Sequence, residues 1–229
     1  MTRLEPLRDC WPAAGTDPSL PALRRCRAAD PPLLLCLDRR DGGPAPGPEG
    51  LLDGLSPEEL QRHAAYRQPA DRERFRLGRA LLRHWLGLWH GLPPRAVTLA
   101  IGSNGKPFCP GGPEFNLSHS GDLILLALHP CRAVGVDVER HRPELDWEPI
   151  ARRLWGESRA LELSRLPAAQ AGQAFLQQWC RFEAAAKATG LGLAASGSGA
   201  TEQACRLWDL LLPDDHLGAV ALLADSTDR

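Results

Sequence analysis

With 229 residues, 43% of them hydrophobic and 24% charged, the chain has the length and composition of a soluble globular protein with a sizeable core. Its formal net charge of −1 excludes the strong basic field of a nucleic-acid-binding protein. Seven cysteines and no C-x-x-C pair indicate neither a disulfide framework nor a zinc site. We therefore expect a reduced, cytoplasmic protein without a signal peptide or a membrane span.

A short strand and a capped helix are predicted in the first part of the chain. The apolar run at 33–37 predicts a buried strand, and residues 41–50 have the proline and glycine content of a surface loop. Ser56 and Glu59 form a capping-box pattern, with Pro57 at the first helical position. A helix is therefore predicted to begin at Pro57.

A second helix is predicted after Pro69, with Asp71 as a candidate cap. Its apolar residues recur at helical spacing, and Gly91 ends it ahead of two prolines. Most arginines on its other face are expected to be solvated, although one near the start of the helix could hold a phosphate. These arginines are Arg72, Arg74, Arg76, Arg79 and Arg83.

Two segments after this helix carry groups suited to anions. Residues 97–101 predict a strand, and the turn that follows places Lys106 and Pro107 next to a glycine. Around Ser118 and His119 a strand is expected to enter a hydroxyl-rich turn, which could bind phosphate or only stabilise itself. A serine–histidine hydrolase is disfavoured, because adjacent residues of an extended segment point apart and G-x-S-x-G is absent.

The stretch 134–139 alternates apolar and polar residues, which predicts a half-buried strand. Asp137 and Glu139 would share one face, about 6–7 Å apart, and would repel each other unless a cation lay between them. Oxygen ligands beside a glycine suit Mg²⁺, whereas the alternative is a pair of solvated acids. A hairpin is expected to bring the segment around Ser118 and this acidic strand into one sheet.

Two helices, at 145–166 and 168–189, are predicted in the second half, followed by a loop at 194–203 and an antiparallel pair at 205–212 and 218–224. Trp179, Glu183 and Lys187 are spaced by four and share one face of the second helix. Glu183 and Lys187 could form a surface pair worth about 0.3–0.5 kcal/mol. Beside a phosphate–metal site they would instead provide a third acid and a cation for a leaving phosphate.

Three motifs in order carry a resemblance: N-L-S-H-S at 116–120, G-V-D-V-E at 135–139 and W-x-x-x-E-A-x-x-K at 179–187. Together with G-K-P at 105–107 and Arg74 ahead of L-G-R-A-L-L-R, they resemble the 4′-phosphopantetheinyl transferases of the surfactin-synthetase-activating type. The match covers roughly residues 56–193, and the order of five individually weak motifs makes it specific.

The resemblance implies an α+β fold of two similar lobes, each with helices packed on a small, mostly antiparallel sheet, and a coenzyme A cleft between them. We assign the lobes to residues 1–132 and 133–229. It also implies transfer of the phosphopantetheine arm from coenzyme A to a serine of an acyl or peptidyl carrier protein, releasing adenosine 3′,5′-bisphosphate. The expected partners are coenzyme A and the carrier, without nucleic acid or membrane, and the expected state is a monomer.

Roles for individual residues follow from the resemblance. Asp137, Glu139 and Glu183 would hold Mg²⁺, and Glu183 would also be the base for the carrier serine. Lys187 would stabilise the leaving pyrophosphate oxygen. Phosphate groups would be bound by Ser118, His119, Arg74 and Arg62, and the adenine end by Lys106 and Pro107.

The chain departs from some relatives at two positions. Phe182 stands where some have a lysine, and Arg159 stands where some have a further acid, with Glu157 and Glu162 to either side. That acid is left unassigned, as are the role of residues 1–50, the carrier and the choice between Mg²⁺ and Mn²⁺. One alternative is a coenzyme A-binding protein without turnover. The other is a metal-dependent phosphohydrolase, and the absence of H-x-x-x-H and D-x-D motifs disfavours this second alternative.

Overall fold

The computed structural model describes residues 2–8, 19–41, 54–191, 200–213 and 215–224. The chain divides into two compact units. The first unit is Leu7–Ala133, and the second unit combines Met1–Pro6 with Val134–Arg229. Within the described residues, no helix combines the length and apolar character needed to cross a membrane.

Small sheets and α-helices make up both units, which gives the mixed α+β fold that was predicted. In chain order the strands are β1 (Arg3–Leu4), β2 (Leu7–Arg8), β3 (Leu33–Asp38), β4 (Ala100–Ile101), β5 (Pro107–Phe108), β6 (Glu114–Ser120), β7 (Leu123–His129), β8 (Val134–Arg140), β9 (Cys205–Leu210) and β10 (His216–Leu223). The helices are α1 (Ser19–Arg25), α2 (Pro57–Ala65), α3 (Pro69–His90), α4 (Glu148–Ser164), α5 (Ala168–Thr189) and α6 (Ala200–Gln203).

The first unit is built on a sheet of order β2-β3-β7-β6, in which β7 pairs antiparallel with β3 and β6. The buried strand predicted at 33–37 is confirmed as β3. Leu81, Leu82 and Trp85 of α3 are buried in one core with apolar residues of β3 and β7. The strand predicted at 97–101 is shorter, because only Ala100–Ile101 pairs, with β5, while Pro94–Ala96 forms a 3₁₀ turn.

Helix α2 has the predicted capping box. The Ser56 hydroxyl accepts a hydrogen bond from the Glu59 amide at 3.3 Å, and the Glu59 carboxylate accepts one from the Ser56 amide at 2.9 Å. The prediction that Asp71 caps α3 is wrong, because the helix begins at Pro69 and Asp71 lies in its first turn, paired with Arg74. Gly91 ends α3 as predicted, with a φ of 69°.

The solvated arginine face predicted on α3 is wrong for two of its members. Arg79 Nε donates to Glu59 Oε1 at 2.8 Å, and Arg83 Nε donates to Glu59 Oε2. Arg83 is only 3% exposed and also donates to the carbonyl oxygens of Pro94 (3.1 Å) and Val97 (2.9 Å). These hydrogen bonds hold α3 against α2 and against the turn that follows α3. We call Glu59, Arg79 and Arg83 the arginine network.

The second unit places α5 on a sheet of order β1-β9-β10-β8. Helix α5 has the predicted bounds and ends at Gly190 with a φ of 71°. The antiparallel pair β9 and β10 is confirmed. Helix α4 starts later than predicted and is interrupted at Gly156, where φ is 83°. Of the loop predicted at 194–203, residues 194–199 lie outside the described residues and 200–203 form α6.

The prediction that Ser118, His119 and the acidic strand share one sheet is wrong. Both edges of β7 are occupied by β3 and β6, so β8 pairs with β10 instead. Ser118 and His119 also do not form a turn: they lie within β6, and the chain turns at Gly121 and Asp122.

Candidate functional site

Strand β8 and helix α5 lie in direct backbone contact at Gly135. A Cβ atom there would lie 2.0 Å from the carbonyl oxygen of Ala184 and 2.5 Å from the amide nitrogen of Ala188. Such distances are impossible for a side chain, so only glycine lets the helix backbone rest on the strand. The prediction of a half-buried strand is corrected accordingly, since β8 is buried on both faces from Val134 to Val138.

This close approach brings Lys187 of α5 to Asp137 of β8. Lys187 Nζ lies 2.6 Å from Asp137 Oδ1 and 3.3 Å from the carbonyl oxygen of Val136. Asp137 is only 4% exposed, and Lys187 is half-buried. A carboxylate with so little contact with water stays charged at low cost only beside a cation. Lys187 supplies that positive charge.

Glu183 lies one helical turn before Lys187 and is half-buried. Burial raises the pKa of the Glu183 carboxyl, and the charges of Asp137 and Glu139 raise it further, while Lys187 opposes them. Three carboxylates and an ammonium group thus act on one another at this place. We call Asp137, Glu139, Glu183 and Lys187 the acid centre.

The donor set of the acid centre fits a hard cation, because it offers only carboxylate oxygens. Among the described residues no group of three or more histidine, cysteine, aspartate or glutamate side chains is arranged to hold a metal ion by itself. Mg²⁺ usually takes one or two carboxylates and completes its shell with water and substrate phosphate, so it needs no all-protein cage.

Other residues singled out around the acid centre have structural surroundings. Trp179 packs against Phe175 and Phe182, with ring centroids 6.4 and 6.2 Å apart, and belongs to a core shared with α4. Glu157 and Glu162 are exposed and lie 3.0 and 2.7 Å from arginines of the same helix.

Two of the anion-binding residues predicted in the first unit, Ser118 and His119, lie on β6. Arg74 Nη1 donates to the carbonyl oxygen of Gly121 at 3.1 Å, so Arg74 lies at the same end of β6 as Ser118 and His119. Ser118 is 8% exposed and His119 is exposed. As neighbours on one strand they face opposite sides, which agrees with their not forming a catalytic dyad.

Lys106 and Pro107 lie on the hairpin between β4 and β5, where Gly105 has a φ of 78°. Burial lowers the pKa of Lys106, and the charge of Glu114 opposes this. Glu114 begins β6, whereas Arg74 contacts the turn after it, so the two predicted subsites lie roughly 20 Å apart along the strand. Arg62 is exposed, and its guanidinium lies 5.5 Å from the ring centroid of Phe75.

One polar cluster beside the acid centre was not predicted from the sequence. Arg181 of α5 makes two hydrogen bonds to Asp209 of β9, at 2.8 and 2.7 Å, and Gln177 donates to the same carboxylate at 2.9 Å. Two signals pointed to it: the i, i+4 spacing of Gln177 and Arg181, and an acid inside the apolar pattern of a strand.

Comparison with known proteins places these features in a family. The family model of the 4′-phosphopantetheinyl transferase superfamily (ACPS) matches residues 133–216 of the chain. This range contains all four residues of the acid centre. The chain is 35% identical over 192 residues to the 4′-phosphopantetheinyl transferase HetI of Nostoc sp. PCC 7120, covering 77% of this chain and 81% of HetI.

Two further relatives carry related names. The putative 4′-phosphopantetheinyl transferase slr0495 of Synechocystis sp. PCC 6803 is 31% identical over 187 residues, which cover 80% of this chain and 70% of that protein. The 4′-phosphopantetheinyl transferase AcpT of Escherichia coli O157:H7 is 39% identical over 121 residues, which cover 52% of this chain and 58% of AcpT.

Proposed function

The chain belongs to the 4′-phosphopantetheinyl transferase superfamily, and from this premise we propose that the acid centre is where it transfers the phosphopantetheine arm of coenzyme A to a carrier protein. The observation that carries the proposal is the contact between Lys187 and buried Asp137 beside Glu183, whose pKa is raised. If Glu183 and Lys187 formed only a solvated pair on the surface of α5, Lys187 would not contact a buried residue of β8.

In this proposal Glu183 takes the proton from the hydroxyl of the carrier serine. Its raised pKa makes it a stronger base than an ordinary carboxylate. The serine oxygen then attacks the phosphorus that carries the pantetheine, and the bond to the other phosphate breaks, releasing adenosine 3′,5′-bisphosphate. Lys187 neutralises charge on the departing phosphate, since phosphoryl transfer depends on an aligned nucleophile and on charge stabilisation.

Asp137, Glu139 and Glu183, together with water and the phosphates of the ligand, would hold Mg²⁺, which when bound would neutralise the pyrophosphate of coenzyme A. A phosphate-bearing ligand would compete with Asp137 for the ammonium of Lys187. Loss of Mg²⁺ should therefore abolish transfer, and titration of Mn²⁺ against Mg²⁺ would show which ion is preferred.

Residues of the first unit would contact coenzyme A as well. We propose that Ser118, His119, Arg74 and Arg62 bind its phosphates, and that Lys106 and Pro107 contact the adenine end. Arg74→Ala should raise the Michaelis constant for coenzyme A more than it lowers turnover, whereas an effect on turnover alone would contradict a binding role.

The direct test incubates the protein with coenzyme A, Mg²⁺ and an apo carrier protein. A gain in carrier mass of one phosphopantetheine arm supports transfer at this centre if Glu183→Gln abolishes it. Hydrolysis of coenzyme A without a carrier would indicate a phosphohydrolase. Binding without either reaction would indicate a coenzyme A-binding protein.

The subtype and the carrier are a finer proposal. The motifs resemble the surfactin-synthetase-activating type, so we propose that the protein belongs to that type and acts as a monomer. A panel of fatty-acid, polyketide and nonribosomal-peptide carriers, assayed side by side, identifies the carrier class. Failure to modify any nonribosomal-peptide carrier would contradict the subtype, and light scattering of the purified protein tests the monomer.

A further inference from the structure

Two aspartates stand in one row of the second sheet, on the face that α5 covers. Asp209 of β9 pairs directly with Ala219 of β10, and Ala219 pairs directly with Asp137 of β8. Residues paired directly across strands point to the same face. Ala219 is fully buried and packs in one core cluster with Ala184, Ala185 and Ala188 of α5. Helix α5 thus packs on Ala219, and Asp137 and Asp209 lie on either side of this alanine.

Each of the two aspartates holds a cation of the same helix. Asp137 pairs with Lys187, and Asp209 is held by Arg181 through two parallel hydrogen bonds. Gln177, one turn earlier, donates to Asp209 and also to the carbonyl oxygen of Gly218 at 3.1 Å. A guanidinium–carboxylate pair with two parallel bonds fixes direction as well as distance. We call Gln177, Arg181 and Asp209 the helix clamp.

We propose that the helix clamp sets the position of α5 on the sheet, and so makes Arg181 and Asp209 positioning residues for Glu183 and Lys187. Arg181 lies two residues before Glu183, and Asp209 is 8% exposed. The clamp holds α5 on the β9 side while the acid centre holds it on the β8 side. A small displacement of either catalytic group would slow transfer, because misplacement by about 1 Å can cost a hundredfold.

The inference rests on the function proposed above, and its test separates positioning from stability. Asp209→Ala alone should lower the melting temperature, because it leaves a half-buried guanidinium unpaired. The double variant Arg181→Met, Asp209→Leu should recover that temperature, since apolar residues of similar size commonly replace a buried ion pair without loss. Its turnover should nevertheless stay about tenfold to a hundredfold below wild type, with a nearly unchanged Michaelis constant for coenzyme A.

Arg152→Met on α4 is the matched control, because Arg152 makes exposed ion pairs with Glu148 and Glu157. It should keep both melting temperature and turnover. If the double variant does not fold, Arg181→Lys provides the second test: it keeps the charge, loses the parallel bonds, and should also lower turnover with little change in the Michaelis constant.

Near-normal turnover of a folded double variant, or of Arg181→Lys, would overturn the positioning role. Failure of the proposed function would look different. In that case Glu183→Gln and Lys187→Ala would themselves transfer at the wild-type rate, whatever the clamp variants did.

Discussion

The arginine network of the first unit and the acid centre of the second use the same kinds of side chain in opposite balance. In the arginine network two guanidinium groups share Glu59, and Arg83 gives further N–H groups to backbone carbonyls. In the acid centre two carboxylates of β8, Asp137 and Glu139, act on Glu183 of α5, and Asp137 also pairs with Lys187. The arginine network therefore has two cations for one carboxylate, whereas the acid centre has three carboxylates for one cation.

The difference separates a structural network from the one proposed to carry the chemistry. The hydrogen bonds of the arginine network end within the fold, at a helix cap and a 3₁₀ turn. In the acid centre burial raises the pKa of Glu183, and the charges of Asp137 and Glu139 raise it further against the opposing charge of Lys187, whose side chain is 30% exposed. Excess negative charge beside a partly exposed cation would suit the metal–phosphate ligand proposed above. Removing an acid from each network should therefore have opposite consequences.

Glu183→Gln should have the largest effect on activity. It removes the proposed base, for which losses of about 10²–10⁴-fold in turnover are typical. The free energy of unfolding should stay constant or rise, because one of the crowded carboxylates is neutralised. Carrier mass spectrometry and urea unfolding measure the two quantities.

Glu59→Gln should do the reverse in the first unit. It leaves two largely buried guanidinium groups without their carboxylate, which should cost about 3–5 kcal/mol of unfolding free energy. Turnover measured well below the melting temperature should stay near wild type. If Glu59→Gln slowed transfer and Glu183→Gln unfolded the protein, the assignment of the two networks would be reversed.

Lys187→Ala should lower turnover by about 10²–10³-fold, as expected when a group that stabilises developing charge is lost. The Michaelis constant for coenzyme A should change less, because the charge on the leaving phosphate is greatest in the transition state. Lys187→Arg keeps the charge and serves as the control, with a smaller loss. Near-normal turnover of Lys187→Ala would show that Lys187 only neutralises Asp137.

Two glycines extend the comparison from charge to packing. A Cβ on Gly135 would meet the backbone of α5, so Gly135→Ala should cost about 1–3 kcal/mol or more and reduce transfer by moving the helix. A Cβ on Gly78 of α3 would meet side-chain methyl groups, those of Leu117 at 3.1 Å and one of Ile124 at 3.6 Å, and alanine is the better helix former. Gly78→Ala should therefore be nearly neutral in the same urea titrations. Equal losses for both variants would exclude backbone contact as the cause.

Local signals in the sequence predicted much of this architecture. The capping box at Ser56 and Glu59 and the ends of α5 follow from interactions within a few residues, and both were confirmed. The i, i+4 spacing also predicted that Glu183 and Lys187 share a helix face. What that face meets depends on the register between α5 and β8, which is set by contacts distant in sequence.

Contacts between segments that are distant in sequence explain the predictions that were wrong. The chain order of β6, β7 and β8 favoured one continuous sheet, but β3, some ninety residues before β7, takes the free edge of β7. Arginines at helical spacing resemble a solvated face until a glutamate from another helix reaches them, as Glu59 reaches Arg83. Asp209 was missed for the same reason, since its partner lies on α5.

His129 is a titratable group of the first unit whose two ring nitrogens make hydrogen bonds within the fold. Its Nδ1 accepts hydrogen bonds from the amides of Cys131 (3.3 Å) and Arg132 (2.9 Å), and its Nε2 lies 3.2 Å from the carbonyl oxygen of Arg27. The proton of the neutral ring therefore sits on Nε2. Burial lowers the pKa of His129, and the charge of Arg132 lowers it further, while the bond to Arg27 and the charge of Asp30 oppose them.

Because the pKa of His129 is lower in the folded protein than in the unfolded chain, the unfolded chain takes up the proton first as pH falls. The contribution of His129 to stability is thus fully present above about pH 6.5, the ordinary histidine value, and is lost progressively below it. Urea unfolding between pH 5 and 7.5 should show this decline, and His129→Gln should flatten it while costing about 1–3 kcal/mol at pH 7.5. His63→Gln is the control, since His63 also has a lowered pKa but lies near the surface. A slope that His63→Gln flattened as much as His129→Gln would show that burial at the end of β7 is not its source.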